Sequence, residues 1–128
     1  MARNLNETEL FDLMTTPSER LIEDIKKIDG DILILGCGGK IGPSLAVMAK
    51  RAIDQANLHK KVIGASTFDY AGSVNQMRER GVNVIEADLL NPEQLNALPN
   101  ADNIIYMVGR KFGTYADPSM TWAINVLL

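Results

Sequence analysis

The chain has 128 residues, 46% of them hydrophobic and 23% charged, with a net charge of −3. That is the size of one globular domain able to bury a core without a disulfide or metal staple, and the acidic balance excludes a general attraction to nucleic acid or to an anionic membrane surface. The single cysteine rules out an intrachain disulfide, no Cys/His cluster has zinc spacing, the apolar runs are too short to span a membrane, and the acidic amino terminus lacks a signal-peptide core, so a cytoplasmic protein is expected.

Residues 7–28 carry helical spacing, broken at Thr16-Pro17-Ser18, where a second helix bearing Leu21, Ile22, Ile25 and Ile28 is capped. Leu10, Phe11, Leu13 and Met14 give the first helix an apolar side, read as packing on its own domain with a docking face as the alternative. Asp29-Gly30 ends the pattern, and Asp31-Ile32-Leu33-Ile34-Leu35 reads as a strand buried on both faces. A glycine-rich turn follows, then Ile41, Leu45, Met48, Ala49, Ala52, Ile53 and Ala56 line one side of a helix, with Pro43 tolerated in its first turn. Lys61 to Ala65 makes a second strand; Ala71, Val74 and Met77 mark a helix stopped by Gly81; Val82 to Glu86 makes a third strand. Asn91-Pro92 opens a short helix through Leu98, Asn103 to Val108 makes a fourth strand, and Pro118 opens a last helix over Ser119 to Leu128.

Strands alternating with helices at this spacing predict an α/β fold with a doubly wound parallel sheet, covered on both faces. The final run, Trp122-Ala123-Ile124-Asn125-Val126-Leu127-Leu128, has no capping glycine, so the sheet reads as incomplete. The exposed edge of the fourth strand and the last helix are then expected to drive self-association or disorder.

Gly36, Gly39 and Gly42 in LILGCGGKIGP satisfy G-x-x-G-x-x-G between a buried strand and an amphipathic helix. A pyrophosphate needs that combination: a tight turn, a backbone free of side chains, and helix amino-terminal donors. A dinucleotide is the reading of the turn, including Lys40 and Ile41, and residues 31–128 become an NAD(P)-binding Rossmann domain behind a helical extension at 1–30. The competing readings are a purely structural turn and an S-adenosylmethionine loop, but loops of the latter kind have an acid two positions before the first glycine, where Ile34 stands, and a glycine in place of Lys40. At the end of the second strand Ser66-Thr67-Phe68-Asp69 supplies neither the acid that favours NAD nor the cation that favours NADP. With no Lys or Arg close by and Ser66 able to bond a ribose hydroxyl, NAD is preferred and NADP is the alternative. Cys37 reads as a small apolar filler, His59 as a surface residue, and the methionines and aromatics along the helices as core.

Together these residues resemble the extended short-chain dehydrogenases, the NAD-dependent epimerase/dehydratase family, over residues 31–128. Asp88-Leu89 matches the acidic-apolar pair with which that family contacts adenine, Val108-Gly109-Arg110-Lys111 stands at its small-residue turn against the cofactor, and Asn125-Val126 matches the helix whose asparagine organises a proton relay. The resemblance implies an oxidoreductase that binds a dinucleotide through Gly36, Gly39, Lys40, Ile41, Gly42, Ser66, Asp88, Leu89, Val108, Gly109 and Lys111, with Asn125 in the catalytic relay. It also implies a small-molecule substrate such as a nucleotide sugar, a homo-oligomer, and no metal. Local alternatives stay open: a helix-capping or loop carboxylate for Asp88, a solvent-facing or carbonyl-bonded helix residue for Asn125, a solvated loop for Arg110 and Lys111.

The family's Tyr-x-x-x-Lys pair is missing, since Val74, Arg110 and Ser119 stand four positions after Tyr70, Tyr106 and Tyr115. Without a lysine to lower the tyrosine pKa, proton exchange with substrate is lost. Binding without turnover is therefore expected of these 128 residues, and a non-catalytic NAD(P)-binding regulator is the second reading.

Overall fold

A computed structural model describes residues 4–69, 71–110 and 115–127. Strands β1 (Ile32–Leu35), β2 (Val62–Ser66), β3 (Asn83–Glu86) and β4 (Asn103–Tyr106) form one parallel sheet in the order β3-β2-β1-β4. Helices α1 (Glu7–Met14) and α2 (Glu19–Ile25) precede the sheet, α3 (Gly42–Gln55), α4 (Ala71–Glu79) and α5 (Pro92–Asn96) connect its strands, and α6 (Pro118–Trp122) follows, continuing as a π turn over Ala123–Leu127. The chain lays β2 and β3 on one side of β1, then returns to place β4 on the other, as in the first four strands of a Rossmann-like sheet. The strand order reverses between β1 and β4, which opens a crevice at the carboxyl ends of those two strands.

Local chemistry sets the element ends. The Asn6 side chain accepts from the Glu9 amide while Glu9 accepts from the Asn6 amide, a reciprocal capping box that starts α1. Ser18 caps α2, and Asn91 and Asp117 cap α5 and α6 ahead of prolines that need no donor at the first helical position.

Two apolar layers sandwich the inner strands. On one face Ile32, Ile34 and Val62 pack with Ala46, Val47, Ala52 and Ile53 of α3, Met77 of α4 and Ile25 of α2. On the other, Leu33, Ile63 and Ala65 pack with Ala87, Leu89 and the Leu98 and Ala101 side chains that flank α5. The buried side of α3 is wider than the predicted one: Ala52 and Ile53 are buried and Leu45, Ala49 and Ala56 pack on this layer as expected, but Gly42, Ala46 and Val47 face inward too, and Ile41 is 67% exposed. Gly42 lies so close to the Cys37 backbone that a side chain there would overlap it, which lets the first turn of α3 approach the glycine turn.

Residues 1–30 do not stand off from the sheet where they are described. Phe11, Leu21 and Ile22 pack on the first layer, and Arg51 of α3 donates to the Asp12 carbonyl (2.7 Å) and the buried Thr15 hydroxyl (2.9 Å). Arg80, just past α4, pairs with the Asp12 carboxylate (2.8 Å) while its guanidinium lies 5.0 Å from the Phe11 ring centroid. Leu10, Leu13 and Met14, on the remaining apolar side of α1, stay exposed, as does Ile28 beyond the end of α2.

The sheet is not covered on both faces at its edge. Ile104 and Tyr106, in register with Leu33 and Leu35, are 60% and 51% exposed, and Ile105, in register with Ile34, is 37% exposed. Trp122, Met120 and Met14 are exposed too, so the expectation that helix-borne aromatics and methionines fill the core holds for Phe11 and Met77 but not for these three. No described helix is long and apolar enough to cross a membrane.

Candidate functional site

The glycine turn leaves the carboxyl end of β1, at the point where strand order reverses, and runs straight into α3. Gly36 has φ +80°, and a Cβ there would lie 2.7 Å from the Val108 amide nitrogen. Only glycine combines that left-handed backbone with so close an approach to the turn after β4. At Gly42 an added Cβ would fall 2.1 Å from the Cys37 carbonyl oxygen, and at Gly38 2.8 Å from the Ser66 hydroxyl. Gly38, absent from the three-glycine reading, is thus held by the end of β2; its neighbourhood to Ser66 is invisible in sequence spacing.

Gly39 differs from these three. Its φ is not positive, it is exposed, and the nearest atom to an added Cβ is the Gly36 carbonyl at 3.9 Å, an ordinary contact. Neither backbone strain nor internal packing demands a glycine there. The bare backbone at Gly39 faces outward on the turn, with Lys40 and Ile41 exposed beside it.

Around this turn the structure gathers Ser66, Val108, Gly109 and Asn125. Ser66 ends β2, and its carbonyl accepts from the Ala87 amide at 2.9 Å. The Asn125 side chain grips the backbone of Arg110 from both sides, accepting from its amide at 2.7 Å and donating to its carbonyl at 3.1 Å. An added Cβ on Gly109 would meet the Asn125 oxygen at 3.5 Å. The last helix therefore holds the turn that follows β4. Leu89 is buried in the second apolar layer. Asp88 is exposed: its carboxylate accepts from the Leu90 amide (3.0 Å), its amide donates to the Gln94 side chain (2.7 Å), and it borders a shallow depression with Asn91 and Glu93. Lys111 and Tyr70 lie outside the described residues.

Cys37 is fully buried, its Sγ 3.6 Å from Met77 Sδ, and burial pushes its thiol up from 9.0 to about 11. A neutral, enclosed thiol has no nucleophilic role near neutral pH; it fills space under the turn, as expected. His59 is exposed, also as expected. Among the described residues no group of three His, Cys, Asp or Glu side chains is placed to hold a metal ion.

No protein-family model matches the chain, and no curated protein matches it.

Proposed function

We propose that the chain is the dinucleotide-binding part of an NAD-dependent oxidoreductase of the epimerase/dehydratase kind, holding the pyrophosphate on the glycine turn between β1 and α3. Gly39 carries the reading: a glycine that the protein's own packing and backbone do not require, on an exposed turn at the strand-order reversal, is explained by a ligand that must touch the backbone. The amino terminus of α3 adds favourable partial charge for a phosphate. NAD is preferred over NADP at the end of β2, where Ser66 is the polar group beside the turn and Asp69 is exposed. In the bound state the nicotinamide would supply hydride chemistry; this chain's own residues bind the phosphates, fix the Val108–Arg110 turn and bring no Tyr-x-x-x-Lys pair.

A second reading, dinucleotide binding in a regulator without turnover, draws on Asn125. Both polar atoms of its amide are engaged by the Arg110 backbone, a holding role that a relay does not need. Calorimetric titration of the chain with NAD, NADP and S-adenosylmethionine tests the proposal: saturation by NAD supports it, and saturation by S-adenosylmethionine alone, or by none of the three, refutes it.

A further inference from the structure

A second cleft, of about 330 Å³, lies between α4 and the outer strand β3, and reaches the glycine turn only through Phe68, whose ring edge lies against Gly38. Its apolar wall comes from Phe68, Val74 and Val84, and its polar groups are Asn75, Arg78 and Glu86. Arg78 and Glu86 border the same cleft, yet neither side chain forms an ion pair or hydrogen bond with any described residue, so one free cation and one free anion face the same space. They stand toward opposite ends of it. The connection from β2 to parallel β3 makes α4 run back along the sheet, and Arg78 lies seven residues beyond the helix start at Ala71, about 10 Å along the axis at 1.5 Å per residue. Glu86 is the last residue of β3, at the carboxyl end of the sheet where α4 begins.

The charges choose the ligand class. An anion entering this cleft would meet Glu86, a cation would meet Arg78, and a wholly apolar molecule would strip water from both without replacing it. A zwitterion with an apolar body satisfies both ends at once: a carboxylate on the Arg78 fork with Asn75 beside it, an ammonium on Glu86, and side chains on Phe68, Val74 and Val84. Two extended residues span about 7 Å, which matches charges held apart better than a single amino acid does. We infer that the α4–β3 cleft binds a short apolar peptide with free ends, the simplest being a dipeptide. Nothing in this inference depends on whether the glycine turn binds a dinucleotide.

The test is titration of Leu-Leu into the full chain by calorimetry, with N-acetyl-Leu-Leu and Leu-Leu amide as probes of the two charges. Leu-Leu should saturate at millimolar concentration or below, and blocking either end should weaken binding about threefold or more, the size of an exposed ion pair. In Arg78→Gln the amide should bind as well as Leu-Leu, and in Glu86→Gln the acetylated peptide should. No saturable binding up to about 10 mM, where a specific site would be filled, overturns the inference, as do blocked peptides that match Leu-Leu on the unaltered protein. That comparison needs no variant to fold, and circular dichroism checks the two that are used.

Discussion

Replacing Gly42 by alanine should damage the fold far more than the added methyl group suggests. The new Cβ would lie 2.1, 2.5 and 2.7 Å from the Cys37 carbonyl oxygen, carbonyl carbon and Cα. These are backbone atoms of a residue that is itself fully buried, so relief requires the glycine turn and the start of α3 to separate by roughly 1 Å in a close-packed layer. Overpacking of this kind costs about 3 kcal/mol or more, against about 1 kcal/mol returned by better helix propensity and a less flexible unfolded chain. A net loss of about 2 kcal/mol or more should lower the urea midpoint by about 1 M. Far-UV circular dichroism is the suitable probe, because the single tryptophan, Trp122, is already 65% exposed. A Gly42→Ala protein unfolding within about 0.3 M of the parent would refute the claim that Gly42 is packed too tightly against Cys37 to accept a side chain.

Three other outcomes follow from the same packing. At Gly64 an added Cβ would sit 2.8 Å from Cys37 Sγ, so Gly64→Ala should cost about 1–3 kcal/mol alone and much less in a Cys37→Ala background, a non-additivity read by urea denaturation of the four proteins. The Cys37 thiol is held up at about 11 in the folded state against 9.0 unfolded; its contribution to stability is intact below pH 9 and should fade as pH rises from 9 toward 11, while Ellman's reagent at pH 8 should react only with unfolded chain. Arg80→Ala removes both the Asp12 pair and the contact with the Phe11 ring, and should cost about 1–2 kcal/mol and raise amide exchange in α1 more than in α3.

What could be read in the sequence depended on how local the cause was. The alternation of strands and helices, the capping residues and the glycine turn act over a few residues, and the sheet formed with those strands in parallel. Asn103-Ile104-Ile105-Tyr106 looks as apolar as Ile32-Leu33-Ile34-Leu35, yet the first lies at an edge and the second in the middle, because pairing order is decided between distant segments. The burial of Gly42, Ala46 and Val47 on α3 has a similar cause: helical periodicity marks the apolar side but not how far the buried face extends, and the close approach of Gly42 to Cys37 widens it. At the site, G-x-x-G-x-x-G marks the glycines but not their separate duties. Gly36 and Gly42 are required by the fold, Gly38 is crowded by Ser66, and Gly39 is left unexplained by any of these. Likewise Asn125 stands out in the sequence, whereas its grip on Arg110, fifteen positions earlier, depends on the turn of the chain between them.

The central claim is that the bare backbone at Gly39 exists for a dinucleotide, and NAD titration of the parent protein beside Gly39→Ala tests it most directly. The account predicts that NAD binds the parent, that Gly39→Ala keeps its urea midpoint because its Cβ meets nothing closer than 3.9 Å, and that its NAD affinity falls about tenfold or more, about 1.4 kcal/mol. NAD affinity unchanged in Gly39→Ala, or no NAD binding by the parent, would contradict it.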